Sequence, residues 1–167
     1  IKLLDQALGD AHKVCTSGQQ LGLLDQNCQQ LGIVPDYRLE VMQPSQGINE
    51  TVAKVITLLQ PILVAFKPDW VLVHGDTTTC LGATLSAFYL QIKVAHIEAG
   101  LRSGNLSDPF PEESIRIIAD QLASVCFAPT RAALQNLLKA GIEQTKIVVS
   151  GNTSIDVLKT VKKPVKH

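Results

Sequence analysis

Apolar positions along the chain recur with two periods, short runs alternating with stretches spaced by three and four, and the two kinds of stretch take turns from end to end. Residues 1–9 place Leu3, Leu4 and Leu8 on one side, which predicts the end of a helix. Lys13 to Ser17 predicts a short strand. Gln19 to Leu31 predicts a helix with Leu23, Leu24 and Leu31 inward, stopped by Gly32. After a turn at Pro35-Asp36, Tyr37 to Met42 alternates like a strand near a sheet edge. Gly47 to Phe66 carries Val52, Val55, Ile56, Leu59, Ile62 and Leu63 at helical spacing. Pro61, without an amide hydrogen, is expected to kink or divide that helix.

The chain is organised around Trp70 to Arg102. Val71 to Val73 suits a strand buried on both faces, and Thr77 to Leu90 a helix with Leu81, Leu85 and Phe88 on one side. Val94 to Ile97 is a second strand. A strand–helix–strand unit of this kind makes its strands parallel, with a right-handed crossover. The remainder continues the alternation. A loop at 103–111 leads to a helix from Glu112 to Ala123 with Ile115, Ile118 and Leu122 inward. A strand follows at Ser124 to Ala128, then a helix capped by Thr130 and stopped by Gly141. The last strand is Ile147 to Ser150, with helical spacing after it from Ser154 to Val161. The fold class is therefore α/β: a three-layer, Rossmann-like parallel sheet occupying 1–160, with a basic tail or interdomain linker at 161–167.

Composition narrows the functional classes. With 46% apolar and 18% charged residues, the 167-residue chain has enough apolar surface for a core. Fifteen basic and fifteen acidic residues cancel, so no global field favours nucleic acid or an anionic membrane. No uninterrupted apolar run approaches the roughly 20 residues a bilayer span needs. Cys15, Cys28, Cys80 and Cys126 form no C-x-x-C pair, which predicts reduced, mostly buried thiols in a cytoplasmic protein. The first residue is Ile1, which suggests a fragment.

The chemistry gathers at two strand ends. His74-Gly75-Asp76 follows the first central strand and His96-Ile97-Glu98 ends the second. Positions two apart in a strand share a face, so His74 is expected beside Asp76 and His96 beside Glu98. Ligands of open parallel sheets bind at the carboxyl ends of the strands. Asp76 also precedes a helix N-terminus, where it could cap the helix or, with the Thr77, Thr78 and Thr79 amides, flank an anion. Gly75 and Gly100 would let a ligand approach the backbone. Two histidines and two carboxylates are a conceivable metal set. The spacing is not that of helical zinc sites, and no metal is expected. Glu112 and Arg116, four apart, would pair on one helix face, and the preceding loop could lean them over the same sheet edge. Three carboxylates and two arginines beside an anion-ready helix end point to proton transfer on an anionic substrate.

The strings HGDTTT, HIEAGLRS, PFPEE with Arg116, and SGNTSID together resemble the non-hydrolysing UDP-N-acetylglucosamine 2-epimerases. The resemblance extends over nearly the whole chain. It implies the N-terminal half of a glycosyltransferase-B type fold. The implied reaction interconverts UDP-N-acetylglucosamine and UDP-N-acetylmannosamine by elimination and re-addition of UDP, without a cofactor. By the same resemblance Asp76, Glu98 and Glu112 are the catalytic acids and bases, and Asp76, Glu98, Arg116 and His74 bind substrate. It implies a homodimer for the full-length parent.

Departures from the family pattern add expectations. A first strand with its G-T-R-P-E loop and the second domain, which brings most of the UDP pocket and a histidine, are not in this sequence. The missing strand would leave a slot between the strand at Lys13 and that at Trp70. The fragment alone is expected to be inactive. Gln20, Leu21 and Gly22 stand where many members have His-Arg-Glu, and Ile115 where an Asn is usual. A non-catalytic remnant or interaction module, and a glycosyltransferase-B type nucleotide-sugar transferase, are the alternative readings.

Overall fold

Parallel backbone pairing holds the chain together in two places. The computed structural model describes residues 1, 4, 7–18, 21–43 and 46–160. Expectations for Leu3, Gln19, Gln20, the tail 161–167 and the side chains of Leu23 and Leu24 lie outside them. Strands β1 (Cys15–Thr16) and β2 (Tyr37–Arg38) form one parallel ladder. Strands β3 (Trp70–His74), β4 (Lys93–Ile97), β5 (Val125–Ala128) and β6 (Ile147–Val149) form a second, in the order β3-β4-β5-β6. Register runs from Trp70 opposite Lys93 to His74 opposite Ile97, which brings the ends of β3 and β4 level.

Helices fill the crossovers: α1 (Leu21–Leu31), α2 (Ile48–Phe66), α3 (Thr78–Tyr89), α4 (Glu112–Leu122), α5 (Arg131–Lys139) and α6 (Thr153–Thr160). Because β3 to β6 step in one direction, right-handed crossovers put α3, α4 and α5 on one face, and α2 packs beside α3 there. The crossover from β1 to β2 is filled by α1, so helices connect parallel strands in both ladders, an α/β arrangement. Caps follow the local chemistry. The Thr130 hydroxyl accepts from Ala133 N–H at the start of α5, and Gly32 and Gly141 end α1 and α5 at positive φ.

Several buried stripes differ from the periodicity. In α3 the buried positions are Thr78, Cys80, Gly82, Thr84, Ser86 and Ala87, while Phe88 is exposed. Small side chains let α2 come close: a Cβ on Gly82 would lie 2.7 Å from Val55. In α4 the buried set is Glu113, Ile115, Ala119 and Asp120, and Ile118 faces out. The helix buries Glu113 and Asp120 because β4 and the 100–104 loop supply hydrogen-bond partners for both. Pro61 does not divide α2, which runs unbroken through it. That helix is long and apolar enough, by length and composition, to cross a membrane. Here its Val55, Leu59 and Leu63 join the core cluster.

Strand β3 is not buried on both faces. Trp70 is 42% and Leu72 46% exposed, whereas Val73 is buried. Lys93 Nζ lies 5.3 Å from the Trp70 ring centroid. Among the described residues no ladder joins β1 to β3. Tyr37, Leu39 and Val41 N–H donate to the carbonyls of Val14, Thr16 and Ser17, and Asp36 fastens that side of β1 through Val14 N–H (2.8 Å) and Lys13 (3.0 Å). Between β1 and β3 lies the expected slot, a cavity of about 790 Å³ lined by Cys15, Leu39, Leu59 and Leu72 among others. At one end Thr79 Oγ1 donates to Ser17 Oγ at 2.8 Å, so the ends of β1 and β3 lie at the same edge.

Candidate functional site

The site forms where β3 and β4 stop. Strand β3 ends at His74, and Gly75 then turns at φ +71 with open space where a Cβ would be. Gly75 N–H donates to the Ile97 carbonyl at 3.0 Å, tying the turn to the end of β4. Strand β4 ends at Ile97, and Glu98 sits at φ +70. A non-glycine residue in that left-handed region costs on the order of 1 kcal/mol or more. The turn swings the Glu98 carboxylate back across to His74, where Oε2 lies 2.8 Å from Nε2.

Both strands therefore end before their carboxylates, and alternation no longer governs them. His74 pairs with Glu98, not with Asp76, and His96 turns away from Glu98 into the interior, fully buried. Asp76 does not cap α3 either. Thr77 does, accepting from Cys80 N–H at 3.3 Å. Asp76 instead forms an ion pair with Arg116. That contact brings α4 over the strand ends, as the Pro-rich loop suggested.

Arg116 does not pair with Glu112. Its second partner is Glu113, at 3.3 Å. Glu113 is fully buried and accepts from Ser103 N–H at 3.0 Å and Gly104 N–H at 3.1 Å. Burial pushes its carboxyl upward, but those two amides and Arg116 outweigh it and hold it below the usual carboxylate range. Glu112, one residue earlier, has a buried Oε2 without a protein partner. Buried carboxylate oxygens are ordinarily paired, so this atom stands apart from the other described carboxylates of the edge.

Beneath the strand ends lies a second polar cluster that the sequence reading missed. His96 Nδ1 is 2.6 Å from Asp120 Oδ1, and His96 Nε2 is 2.8 Å from the Gly75 carbonyl. Asp120 Oδ2 accepts from Arg102 at 2.6 Å and from Gly100 N–H at 3.2 Å. Glu113 and Asp120 are seven apart, two turns along α4, and together they grip the loop from Gly100 to Gly104. That i, i+7 spacing of carboxylates inside an otherwise apolar pattern was the available signal. Gly100 serves packing here and not a ligand: a Cβ would lie 2.4 Å from the Ala133 carbonyl of α5. Asn136 of α5 also donates to the Gly100 carbonyl at 3.0 Å.

Thus Asp76, Glu98, His74 and Arg116 share one edge, with Glu112 on the same first turn of α4 as Glu113. The string at 150–156 lies at the end of β6, where Ser154 N–H donates to Asn152 Oδ1 at 2.9 Å. Among the described residues no group of three or more His, Cys, Asp or Glu side chains is arranged to hold a metal. All four cysteines are free thiols.

The family model described as UDP-N-acetylglucosamine 2-epimerase matches residues 4–167. The UDP-N-acetylglucosamine 2-epimerase of Escherichia coli K12 is 49% identical over 146 residues, covering 87% of this chain and 39% of the relative. That of Salmonella typhimurium is 51% identical over 146 residues, with the same two coverages. The chain thus spans about 39% of the length of these curated relatives. Among solved structures, the Neisseria meningitidis UDP-GlcNAc 2-epimerase bound to UDP-GlcNAc superposes with a TM-score of 0.88 at 44% identity. It covers 95% of this chain and 44% of that one. The Methanocaldococcus jannaschii enzyme in complex with UDP-GlcNAc and UDP gives 0.75 at 40% identity, over 83% and 38%.

Proposed function

The chain belongs to the UDP-N-acetylglucosamine 2-epimerase family, and we propose on that footing that it supplies the acid/base part of a UDP-N-acetylglucosamine 2-epimerase. The observation that carries the reading is the placement of carboxylates at the strand-end edge: Asp76 paired to Arg116, Glu98 paired to His74, and Glu112 on the first turn of α4 with an unpartnered buried oxygen. Epimerisation at C2 needs a base on one face of the sugar ring and an acid on the other. A carboxylate removes the C2 proton while the C1–O bond breaks, and the electron pair forms the C1–C2 double bond of a 2-acetamidoglucal as UDP leaves. UDP then re-adds at C1 and C2 receives a proton on the opposite face, giving UDP-N-acetylmannosamine. Arg116 and His74 orient the carboxylates and the substrate.

On this reading the substrates are UDP-N-acetylglucosamine and UDP-N-acetylmannosamine, no redox cofactor enters, and the parent polypeptide is a cytoplasmic homodimer. Exposed Leu58, Val64 and Phe66 on α2 offer apolar area for such contact. The test is proton NMR of UDP-N-acetylglucosamine in D2O. A chimera of the Escherichia coli relative carrying this chain in place of the matching segment is expected to exchange the C2 proton and form the manno isomer. The 167-residue chain alone is expected to leave the spectrum unchanged. Asp76→Asn, Glu98→Gln and Glu112→Gln in the chimera should each slow exchange by about 10²–10⁴-fold. Hydrolysis to free sugar, or exchange undiminished in all three variants, would refute the assignment.

A further inference from the structure

The histidine of the second motif is buried away from the reacting edge, and its hydrogen bonds define its charge. A carbonyl oxygen only accepts, so the Nε2 that faces Gly75 O at 2.8 Å carries a proton. On the other side Nδ1 faces Asp120 Oδ1 at 2.6 Å. The second oxygen of Asp120 takes donors from Arg102 and Gly100 N–H. That donor pair favours a carboxylate at Asp120, which places the shared proton on Nδ1.

We infer that His96 is a positioning residue: an imidazolium that locks the turn before Asp76 to α4 and to the loop after Glu98. Its Nε2–H holds Gly75, the residue preceding Asp76. Its Nδ1–H holds Asp120, which holds Gly100 and Arg102, two and four residues beyond Glu98. One buried ring thereby sets the relation between the two strand ends whose carboxylates are to act on one sugar carbon. The significance of that relation rests on reading Asp76 and Glu98 as an acid/base pair; the charge and the coupling do not. Small displacements between positioned groups are costly to catalysis, which is why a stiff link there matters.

The titratable and charged groups around the ring are Asp120 of α4, Arg102 of the loop and Cys80 of α3, with Cys126 of β5 behind Asp120. Burial pushes the His96 imidazole down, but the Asp120 hydrogen bond and its other partners outweigh that and carry it up to about 10. Burial pushes the Cys126 thiol up to about 12, so it stays neutral.

The test uses the 167-residue chain, labelled with ¹⁵N and ¹³C, without any nucleotide sugar. In the wild type both His96 ring nitrogens are expected to remain protonated at pH 7.5 and to titrate only well above it. The backbone carbonyl resonances of Gly75, Asp76, Glu98 and Gly100 should move together with that titration, while those of β6 stay. In Asp120→Asn the proton affinity of His96 should fall at least tenfold, with the same four resonances shifted. If that variant does not fold, the wild-type titration decides by itself. A neutral His96 at pH 7.5, or four resonances unmoved as it titrates, would overturn the inference. Neither result depends on epimerisation, so an inactive chimera with a charged, coupled His96 would fault the proposed reaction and leave this link intact.

Discussion

Glu113 shows how a single buried side chain can hold several parts of the site. Its carboxylate accepts from two loop amides and from Arg116, which in turn reaches Asp76. Removing its charge leaves Arg116 with one partner fewer and the Ser103 and Gly104 amides in competition for one oxygen. Glu113→Gln is expected to lower stability by about 3 kcal/mol, the scale of a broken buried pair, as read by urea denaturation of the 167-residue chain. A change under about 0.5 kcal/mol would mean that the loop finds other acceptors. His96 gives a pH dependence of definite sign. Its folded value, about 10, lies above its ordinary 6.5. Its contribution is therefore fully present below about pH 6.5 and is lost as pH rises toward 10. Urea midpoints measured from pH 6 to 10 should fall, and His96→Gln should flatten the His96 part of that decline.

At the scale of elements, the contact of α2 with α3 depends on small residues. Gly82 meets Val55 side-chain atoms and the Val52 carbonyl, the latter at 3.2 Å from where a Cβ would stand. Gly82→Ala should gain helix propensity yet lose more from overpacking, a net cost of about 1–3 kcal/mol. Thermal denaturation reads the balance, and a stabilised variant would show that the helices can part without penalty. Thr84, elsewhere on α3, is fully buried, and its hydroxyl lacks a protein partner. Thr84→Val keeps the shape and removes that desolvated group, so it should raise stability by about 1 kcal/mol. The two substitutions have opposite signs, which separates crowding from unmet polarity. Strand β3 belongs at this scale too: its exposed Trp70 and Leu72 follow from an uncovered sheet face, not from any polar character of its own.

For the whole molecule, the division into two ladders should divide the stability. Strands β1 and β2 pair through two residues each, whereas β3 to β6 form a continuous sheet under α3, α4 and α5. The slot of about 790 Å³ separates them along most of the length of β3. Native-state hydrogen exchange should therefore show the amides of 37–41 opening at distinctly lower free energy than those of 94–97 and 126–128. Equal protection across both ladders would mean that the two sheets unfold as one unit despite the gap.

The alternation of apolar runs and helical spacings, read along the chain, determined the α/β class, the order of strands and helices, and the chain segments that meet at the strand ends. Those features are local: strand and helix periods, glycine stops and threonine caps need no distant partner. The same is true of Asp76, Glu98, Glu112, Arg116 and His74 as the polar residues of that edge. Only the tertiary structure decided who pairs with whom. Glu98 reaches His74 because its φ of +70 breaks the alternation that would have set it beside His96. Arg116 chooses Asp76 and Glu113 over Glu112, and His96, Asp120 and Glu113 go inside because groups of the Gly75 turn, the 100–104 loop and one another satisfy them there. Burial of a charged side chain depends on what meets it in three dimensions, and spacing along one helix shows at most which residues share a face.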